Sequence, residues 1–314
     1  MVENSSEQVM ELIDSLPEVN SACTYGSGFF MQDGSFDDKQ MDLMISVDNP
    51  SRWHMQNYYM NNHMYDRAGF AKLTSFDYDS FPKGLGAFFT EFKGKNYKLV
   101  VVDKRLLYKN LETWEHFSLP GRFQKPMRML VDNSNGKLPK LMRENYDNAI
   151  KTVLLTKSRL PFRKKDLYED ITSLSYMGDM RVIMHFENPN KVKDIVFGAY
   201  KFYEEVYGKS DLYDYLGDYI MRKDDIDNKE IIDSLPSSLK NYLLDNLSSE
   251  FLKNDILVAF MIKQYLGSLN FMDSISMALR CRETVGTEKT LYTILDKGSK
   301  GILSGFQKVK CKDR

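Results

Sequence analysis

The segment Ser21-Ala22-Cys23-Thr24-Tyr25-Gly26-Ser27-Gly28, followed after a polar loop by Gln40-Met41-Asp42-Leu43-Met44-Ile45-Ser46-Val47, decides the fold. Residues 21–24 read as a short strand. The glycines on either side of Ser27 permit a turn in which backbone amides come close to an anion. Residues 40–47 read as a second strand, whose alternation puts Asp42, Met44 and Ser46 on one face and Leu43, Ile45 and Val47 on the other. Pro50 closes that strand, because proline cannot donate a ladder hydrogen bond. Upstream, Val9, Leu12, Ile13 and Leu16 recur at helical spacing until Pro17 ends the run. Downstream, Tyr97–Asp103 (YKLVVVD) is rich in β-branched residues and suits a central strand covered on both faces.

Beyond about Glu144 helical patterns take over. Asn145–Leu155, Val192–Tyr207 and Glu250–Tyr265 are the clearest, and Tyr213, Tyr215, Leu216 and Tyr219 read as an aromatic stripe for core packing. The expected architecture is α/β: a first domain over 1–155, a mainly helical accessory domain over 156–290, and a basic tail over 291–314. The accessory domain has room for a winged-helix-like unit. The tail contains Lys297-Gly298-Ser299-Lys300-Gly301-Ile302-Leu303-Ser304-Gly305, then Lys308, Lys310 and Lys312. Its glycines allow many conformations, so it should order only when something holds it.

Composition removes several classes of function. The 314 residues, 42% of them hydrophobic, supply enough apolar side chain for two ordinary cores. Forty-three basic residues against 44 acidic ones leave a net charge of -1, so no global field draws the chain to nucleic acid. Cys23, Cys281 and Cys311 are too few and too far apart for a disulfide framework or a zinc site, and a reducing compartment is the simpler expectation. The opening MVENSSEQVMELIDSLPE is acidic and lacks the features of a targeting segment. No stretch approaches the roughly 20 apolar residues of a bilayer span, so work on lipid would require a visit to the membrane from one side.

Gly26-Ser27-Gly28 with Asp42 on the next strand is a pattern for phosphate and Mg²⁺. Amides and the Ser27 hydroxyl can donate to phosphate oxygens, and a strand-end carboxylate suits a hard cation shared with those oxygens. The pattern is neither the GxGxxG dinucleotide signature nor a Walker A sequence. Taken alone it is also an ordinary turn. Arg122 and Lys125, in Gly121-Arg122-Phe123-Gln124-Lys125-Pro126, could be a solvated charged turn or a phosphate grip.

The succession TYGSGFF, MDLMISVDNPSRWHMQN, PGRFQKP and LSYMGDMR resembles the Tam41/Mmp37 family, the mitochondrial-type CDP-diacylglycerol synthases (phosphatidate cytidylyltransferases) and their bacterial relatives. The resemblance runs from about Ala22 to KGSKGILSG in the tail. It implies a polymerase-β-type nucleotidyltransferase domain followed by a helical domain. It implies transfer of CMP from CTP to phosphatidic acid with release of pyrophosphate, using a divalent ion.

By the same resemblance Gly26, Ser27 and Gly28 form the glycine-serine loop, and Asp42 is the metal-ligating strand aspartate. The wider superfamily usually places a second acid at the position of Met44, a poor ligand for Mg²⁺; Asp103 and Asp179 are the alternatives for that missing carboxylate. Lys98 matches the lysine of the family's KYG segment, Gly84-Leu85-Gly86 its Gly-Ala-Gly turn, and Lys300-Gly301 its tail motif. Arg122 and Lys125 become phosphate-binding residues, with Asp42, Ser27 and Lys125 catalytic. His54 is read first as a structural histidine and second as a phosphate or proton-transfer group; His63 is the weaker of the two.

The implied partners are CTP, phosphatidic acid and an anionic membrane surface reached through the basic tail, with no transmembrane segment and no nucleic acid. The implied location is the cytoplasmic face of a bacterial inner membrane, or the matrix side of the mitochondrial inner membrane in a eukaryote. Two other readings stay open from the sequence: a nucleotidyltransferase acting on a soluble or RNA acceptor, and a noncatalytic membrane-associated assembly factor.

Overall fold

The computed structural model describes residues 2–26, 40–65, 67–75 and 85–285. Ser27, Gly28, Gly84 and the basic tail with Lys300 lie outside the described residues. Two compact units interleave along the chain. Described residues of Met1–Tyr108, Pro126–Pro139 and Ile275–Asp296 form one, and those of Lys109–Lys125 and Lys140–Ser274 form the other.

The first unit is built on a mixed five-stranded sheet. Its strands are β1 (Ser21–Tyr25), β2 (Met41–Val47), β3 (Leu85–Phe92), β4 (Lys95–Asp103) and β5 (Met127–Asp132), in the order β3-β4-β2-β1-β5. β2 and β4 pair in parallel, and the other three pairings are antiparallel. Alternation explains the packing. Ala22, Leu43, Ile45, Leu99 and Val101 share one face and are buried with Val9, Leu12 and Ile13 of the helix Val2–Ser15 and Trp53 of the helix Pro50–Met60. Each large aliphatic side chain contributes roughly 1.5–3 kcal/mol on burial, so a one-residue slip of β2 would pull Leu43 and Ile45 out of this core and turn Asp42 into it. Met44, Val100 and Val102 on the other face are buried as well, which makes β4 the doubly covered central strand its valines imply. Burial, with Asp132 nearby, pushes the Cys23 thiol up to about 12, so it stays protonated and unreactive. Pro50 does more than end β2: it occupies the first turn of the next helix, whose N-cap Asn49 accepts from the Arg52 amide at 2.9 Å.

The second unit is mainly helical. Trp114, Phe117, Leu154, Tyr168, Tyr203 and Leu266 belong to its core. A small sheet, β6 (Phe162–Arg163), β7 (Tyr213–Leu216) and β8 (Tyr219–Arg222), runs in the order β6-β8-β7. Two sequence expectations change here. Val192–Tyr207 is two helices, Lys191–Gly198 and Tyr200–Tyr207, broken at Ala199 where φ is -131°. The aromatic stripe is a hairpin turned at Gly217 (φ 69°): alternation puts Leu216 and Tyr219 on the face opposite the buried Tyr213, and Tyr215, on the Tyr213 face but nearer the turn, is exposed as well. Core packing therefore describes Tyr213 alone of the four. The C-terminal helix runs well past Tyr265, as Asp255–Val285.

Candidate functional site

Two clusters carry the residues singled out by sequence, one in each unit. In the first, sheet register places Tyr25 beside Asp42, Asp42 beside Lys98, and Lys98 beside Phe89. Neighbouring strands lie about 4.8 Å apart, so the carboxylate and the ammonium stem of Lys98 rise from adjacent points on one face. Gly26, directly after β1, has φ 80°, and a Cβ on it would sit 2.7 Å from Asp42 Oδ2. Only glycine leaves that space open against the carboxylate. Gln40 Nε2 donates to Asp42 Oδ1 at 3.3 Å, and Gln40 also lines a cavity of about 280 Å³ with Phe89, Thr90, Glu91, Asn96 and Tyr97.

Asp103 does not join this cluster. It pairs with Val47 at the far end of the parallel ladder, five residues beyond Lys98, which is about 16 Å along a strand. Its carboxylate instead accepts from the Arg105 amide at 2.7 Å and from the Arg105 side chain at 3.1 and 2.7 Å. Met44, on the Asp42 face, is buried and offers no hard oxygen. Among the described residues there is no group of three His, Cys, Asp or Glu side chains that could hold a metal. A lone carboxylate beside an open glycine is not a protein cage. It matches the donor set of Mg²⁺ that keeps waters and substrate phosphates as its other ligands.

His54 has the structural role expected first. It is fully buried, its Nδ1 lies 3.0 Å from the Tyr65 hydroxyl, and the rings of Trp53, Tyr65 and Phe88 meet it edge-on. Burial pushes its pKa down to about 3, so it is neutral across the physiological range. Asn57 completes the arrangement by donating to the Tyr65 hydroxyl at 2.8 Å. His63 sits exposed on a 3₁₀ turn (Asn62–Met64).

The second cluster joins PGRFQKP to LSYMGDMR. Lys125 Nζ donates to Ser175 Oγ at 2.8 Å and lies 4.8 Å from the centroid of the Tyr176 ring. A Cβ on Gly121 would come within 2.6 Å of Ser175 Cβ, so glycine permits the approach of the two segments. The turn carrying Lys125 is pinned from behind: Asn145 Nδ2 donates to the Pro120 carbonyl at 3.0 Å, and the Tyr207 hydroxyl donates to the Gln124 carbonyl at 2.7 Å. Burial, then Arg122 and Arg181, push the Lys125 pKa down to about 7 against the pull of Asp179. Cations gathered in this way favour an arriving anion.

Asp179 plays the capping and pairing role. It accepts from the Arg181 amide at 2.8 Å and from the Arg181 guanidinium at 3.1 and 2.6 Å. Before it, Gly178 has φ 70°, and a Cβ there would lie 2.3 Å from the Gly267 carbonyl oxygen on the long helix. Asn270 and Ser274 bind the same loop, through the Leu174 carbonyl at 2.7 Å and the Met180 amide at 3.0 Å. Gly267, Asn270 and Ser274 recur at helical spacing, so one helix face receives the motif. Gln40, Ser175, Tyr176 and Lys191 were not singled out from sequence. Ser175 and Tyr176 stand inside the LSYMGDMR motif, whereas nothing local marks Gln40 or Lys191.

A family model described as mitochondrial phosphatidate cytidylyltransferase, Tam41/Mmp37, matches residues 9–285. The chain belongs to this family. Among similar proteins, the Schizosaccharomyces pombe mitochondrial phosphatidate cytidylyltransferase is 32% identical over 199 residues, covering 60% of this chain and 49% of that protein. The Saccharomyces cerevisiae protein of the same name is 32% identical over 202 residues, covering 58% and 49%. The Homo sapiens protein is 28% identical over 201 residues, covering 61% and 43%. This Tam41/Mmp37 chain spans about half the length of the yeast relatives it matches. Within the family frame, Gly26 and Asp42 form one corner of the first unit, and two further motifs meet at Lys125 and Ser175 in the second.

Proposed function

We propose that this chain transfers CMP from CTP to phosphatidic acid, forming CDP-diacylglycerol and pyrophosphate at a membrane surface. The observation that carries the reading is the Gly26–Asp42 corner, where a strand-end carboxylate faces an open glycine and Lys98 stands in register beside it. Family membership supplies the substrate class. The strand, glycine turn and strand with its carboxylate support a polymerase-β-type nucleotidyltransferase core. The small β6-β8-β7 sheet among helices favours the winged-helix-like reading of the accessory part.

In this reading a phosphatidate oxygen attacks the α-phosphorus of CTP in line, the bond to the bridging oxygen breaks, and pyrophosphate leaves. The nucleophile is already anionic near neutral pH, so no general base is required. Amides of Gly26 to Gly28 and the Ser27 hydroxyl hold the triphosphate, with Lys98 beside it. Asp42 holds Mg²⁺ or another divalent ion, which when bound neutralises phosphate charge and favours departure of pyrophosphate. Arg122 and Lys125 compensate phosphate charge, Asp179 keeps Arg181 in place, and Lys300 with the basic tail meets lipid headgroups. The folding domains would then be a catalytic part near 1–155, a helical part near 156–290 and the tail.

No helix among the described residues is long and apolar enough to cross a membrane, and the substrate keeps its acyl chains in the bilayer. We place the protein peripherally, on the cytoplasmic face of a bacterial inner membrane, or on the matrix side of the inner membrane in a mitochondrion. The test is transfer of label from α-labelled CTP to phosphatidic acid in vesicles by the purified chain, with soluble alcohols and RNA ends as parallel acceptors. Label in CDP-diacylglycerol that disappears with Asp42→Asn supports the assignment. Label in a soluble acceptor, or full activity of the Asp42→Asn protein, sinks it.

A further inference from the structure

The face of the five-stranded sheet that carries Asp42 is covered at one end and open at the other. Met44, Val100 and Val102 share that face and are buried, whereas Gln40, Phe89, Glu91 and Asn96 on the same face are exposed. Register and alternation arrange the open end in two rows. Asp42, Lys98 and Phe89 make the first. Gln40, two residues before Asp42 and hydrogen-bonded to it, stands with the paired Asn96 and Glu91 in the second. The rows lie roughly 7 Å apart along the strands.

Gln40, Phe89, Glu91 and Asn96 line the cavity of about 280 Å³. That is close to the roughly 300 Å³ at which small-molecule sites begin, room for a flat ring system and not for a triphosphate as well. An exposed carboxylate on an edge strand is by itself an ordinary solubilising charge. Here it shares a cavity with two carboxamides and an aromatic ring that is 42% exposed, next to the Asp42 carboxylate and its open glycine. A nucleobase needs a surface to stack on and partners for its polar edge. Phe89 supplies the first, and Glu91, Asn96 and Gln40 supply the second. The step from the first row to the second is about the length of the ribose that separates a nucleotide's base from its α-phosphate.

We propose that this cavity holds the cytosine ring of CTP, stacked on Phe89, with Glu91 accepting from the exocyclic amino group and Asn96 donating to the ring's N3 or O2. The assignment rests on the cytidylyltransferase reading above and adds the selection of the base. A carboxylate only accepts, so uracil, which has a carbonyl oxygen where cytosine has the amino group, meets Glu91 acceptor to acceptor. Asn96 cannot discriminate in this way, because a flip of its amide presents either group. Glu91 is therefore the residue that tells CTP from UTP.

Calorimetric titration of the full chain with CTP, UTP and dCTP in the presence of Mg²⁺ tests this without a lipid acceptor. The native protein should prefer CTP to UTP. Glu91→Gln offers an amino group to uracil, so that preference should fall roughly tenfold to a hundredfold, and dCTP should weaken by the same factor as CTP. Phe89→Ala should weaken CTP and UTP alike, about tenfold. Both side chains are exposed, so neither change should disturb folding. An unchanged preference in Glu91→Gln, a change confined to CTP against dCTP (which would put the ribose at Glu91), or undiminished binding by Phe89→Ala overturns the proposal. Any of these with intact transfer to phosphatidate leaves the function proposed above standing. A Glu91-dependent preference for CTP in a chain that makes no CDP-diacylglycerol does the reverse. A chain that binds neither nucleotide ends both.

Discussion

The corner at Asp42 and the cluster at Lys125 are made in opposite ways. At Asp42 the parts lie close in the chain or in one ladder: Gly26 follows β1, Asp42 opens β2, and parallel pairing brings in Lys98. Backbone hydrogen bonds set those positions to within a residue. At Lys125 the neighbours come from far away, Ser175 lying 50 residues on and the supporting Gly267 later still. There the geometry depends on glycine contacts between segments, which any added methyl group would push apart. The first kind of site resists change except at the reacting groups, whereas the second is sensitive throughout its packing.

The sharpest test of this contrast is Asp42→Asn. Asp42 is only half buried and its neighbours are set by the ladder, so melting should barely change while CMP transfer falls about a thousandfold. A large loss of stability would mean that the corner is held by the side chain, contrary to the argument. Next comes Gly178→Ala, which puts a methyl group 2.3 Å from the Gly267 carbonyl oxygen at a positive φ. Denaturant unfolding should show a loss of about 3 kcal/mol. An unaffected protein would show that the loop can move away cheaply and that the second cluster is not framework-dependent. Gly26→Ala should cost less in stability, about 1 kcal/mol for the left-handed backbone, but should reduce transfer roughly tenfold to a hundredfold by displacing the Asp42 carboxylate.

The smallest effect is a pH dependence at Lys125. Burial and neighbouring cations hold its pKa near 7 in the folded chain, against an ordinary value of 10.5. Between those two values the unfolded chain binds a proton that the folded chain has released, so this residue makes stability rise with pH from about 7 upward. Lys125→Met should remove that part of the rise in melts taken from pH 6 to pH 10, within roughly the 1 kcal/mol-per-unit scale of such linkage. An arriving phosphate reverses the shift, so pyrophosphate binding near pH 8 should take up a proton in the native protein and not in Lys125→Met. Calorimetry in buffers of different ionisation enthalpy measures the difference.

Much of the first unit could be read before any coordinates. Strand alternation in β2, the valines of β4 and the apolar spacing of the first helix each reflect a one-dimensional period, and each lands where its period requires. His54 also reads correctly as structural, since an aromatic segment offers it burial more readily than solvent. The tyrosine stripe at 213–219 misleads because helix and strand periods look alike over so few residues, and Gly217 decides for the hairpin. Asp103 misleads for another reason: a strand tip is attractive for a carboxylate, but which tip depends on the direction of the neighbouring strand. A boundary near residue 155 is what composition can mark along a line, whereas units that exchange segments are visible only in three dimensions.

What the amino-acid order determined alone is the family, the strand that carries Asp42 and the glycine that must precede it, because local backbone preferences and motif order are written residue by residue. What only the tertiary structure decided is that Lys98 stands beside Asp42 while Asp103 does not, and that Lys125 meets Ser175 and Tyr176. These are pairings between distant segments. Their free energy comes from register and close packing across the fold, which no period along the chain encodes.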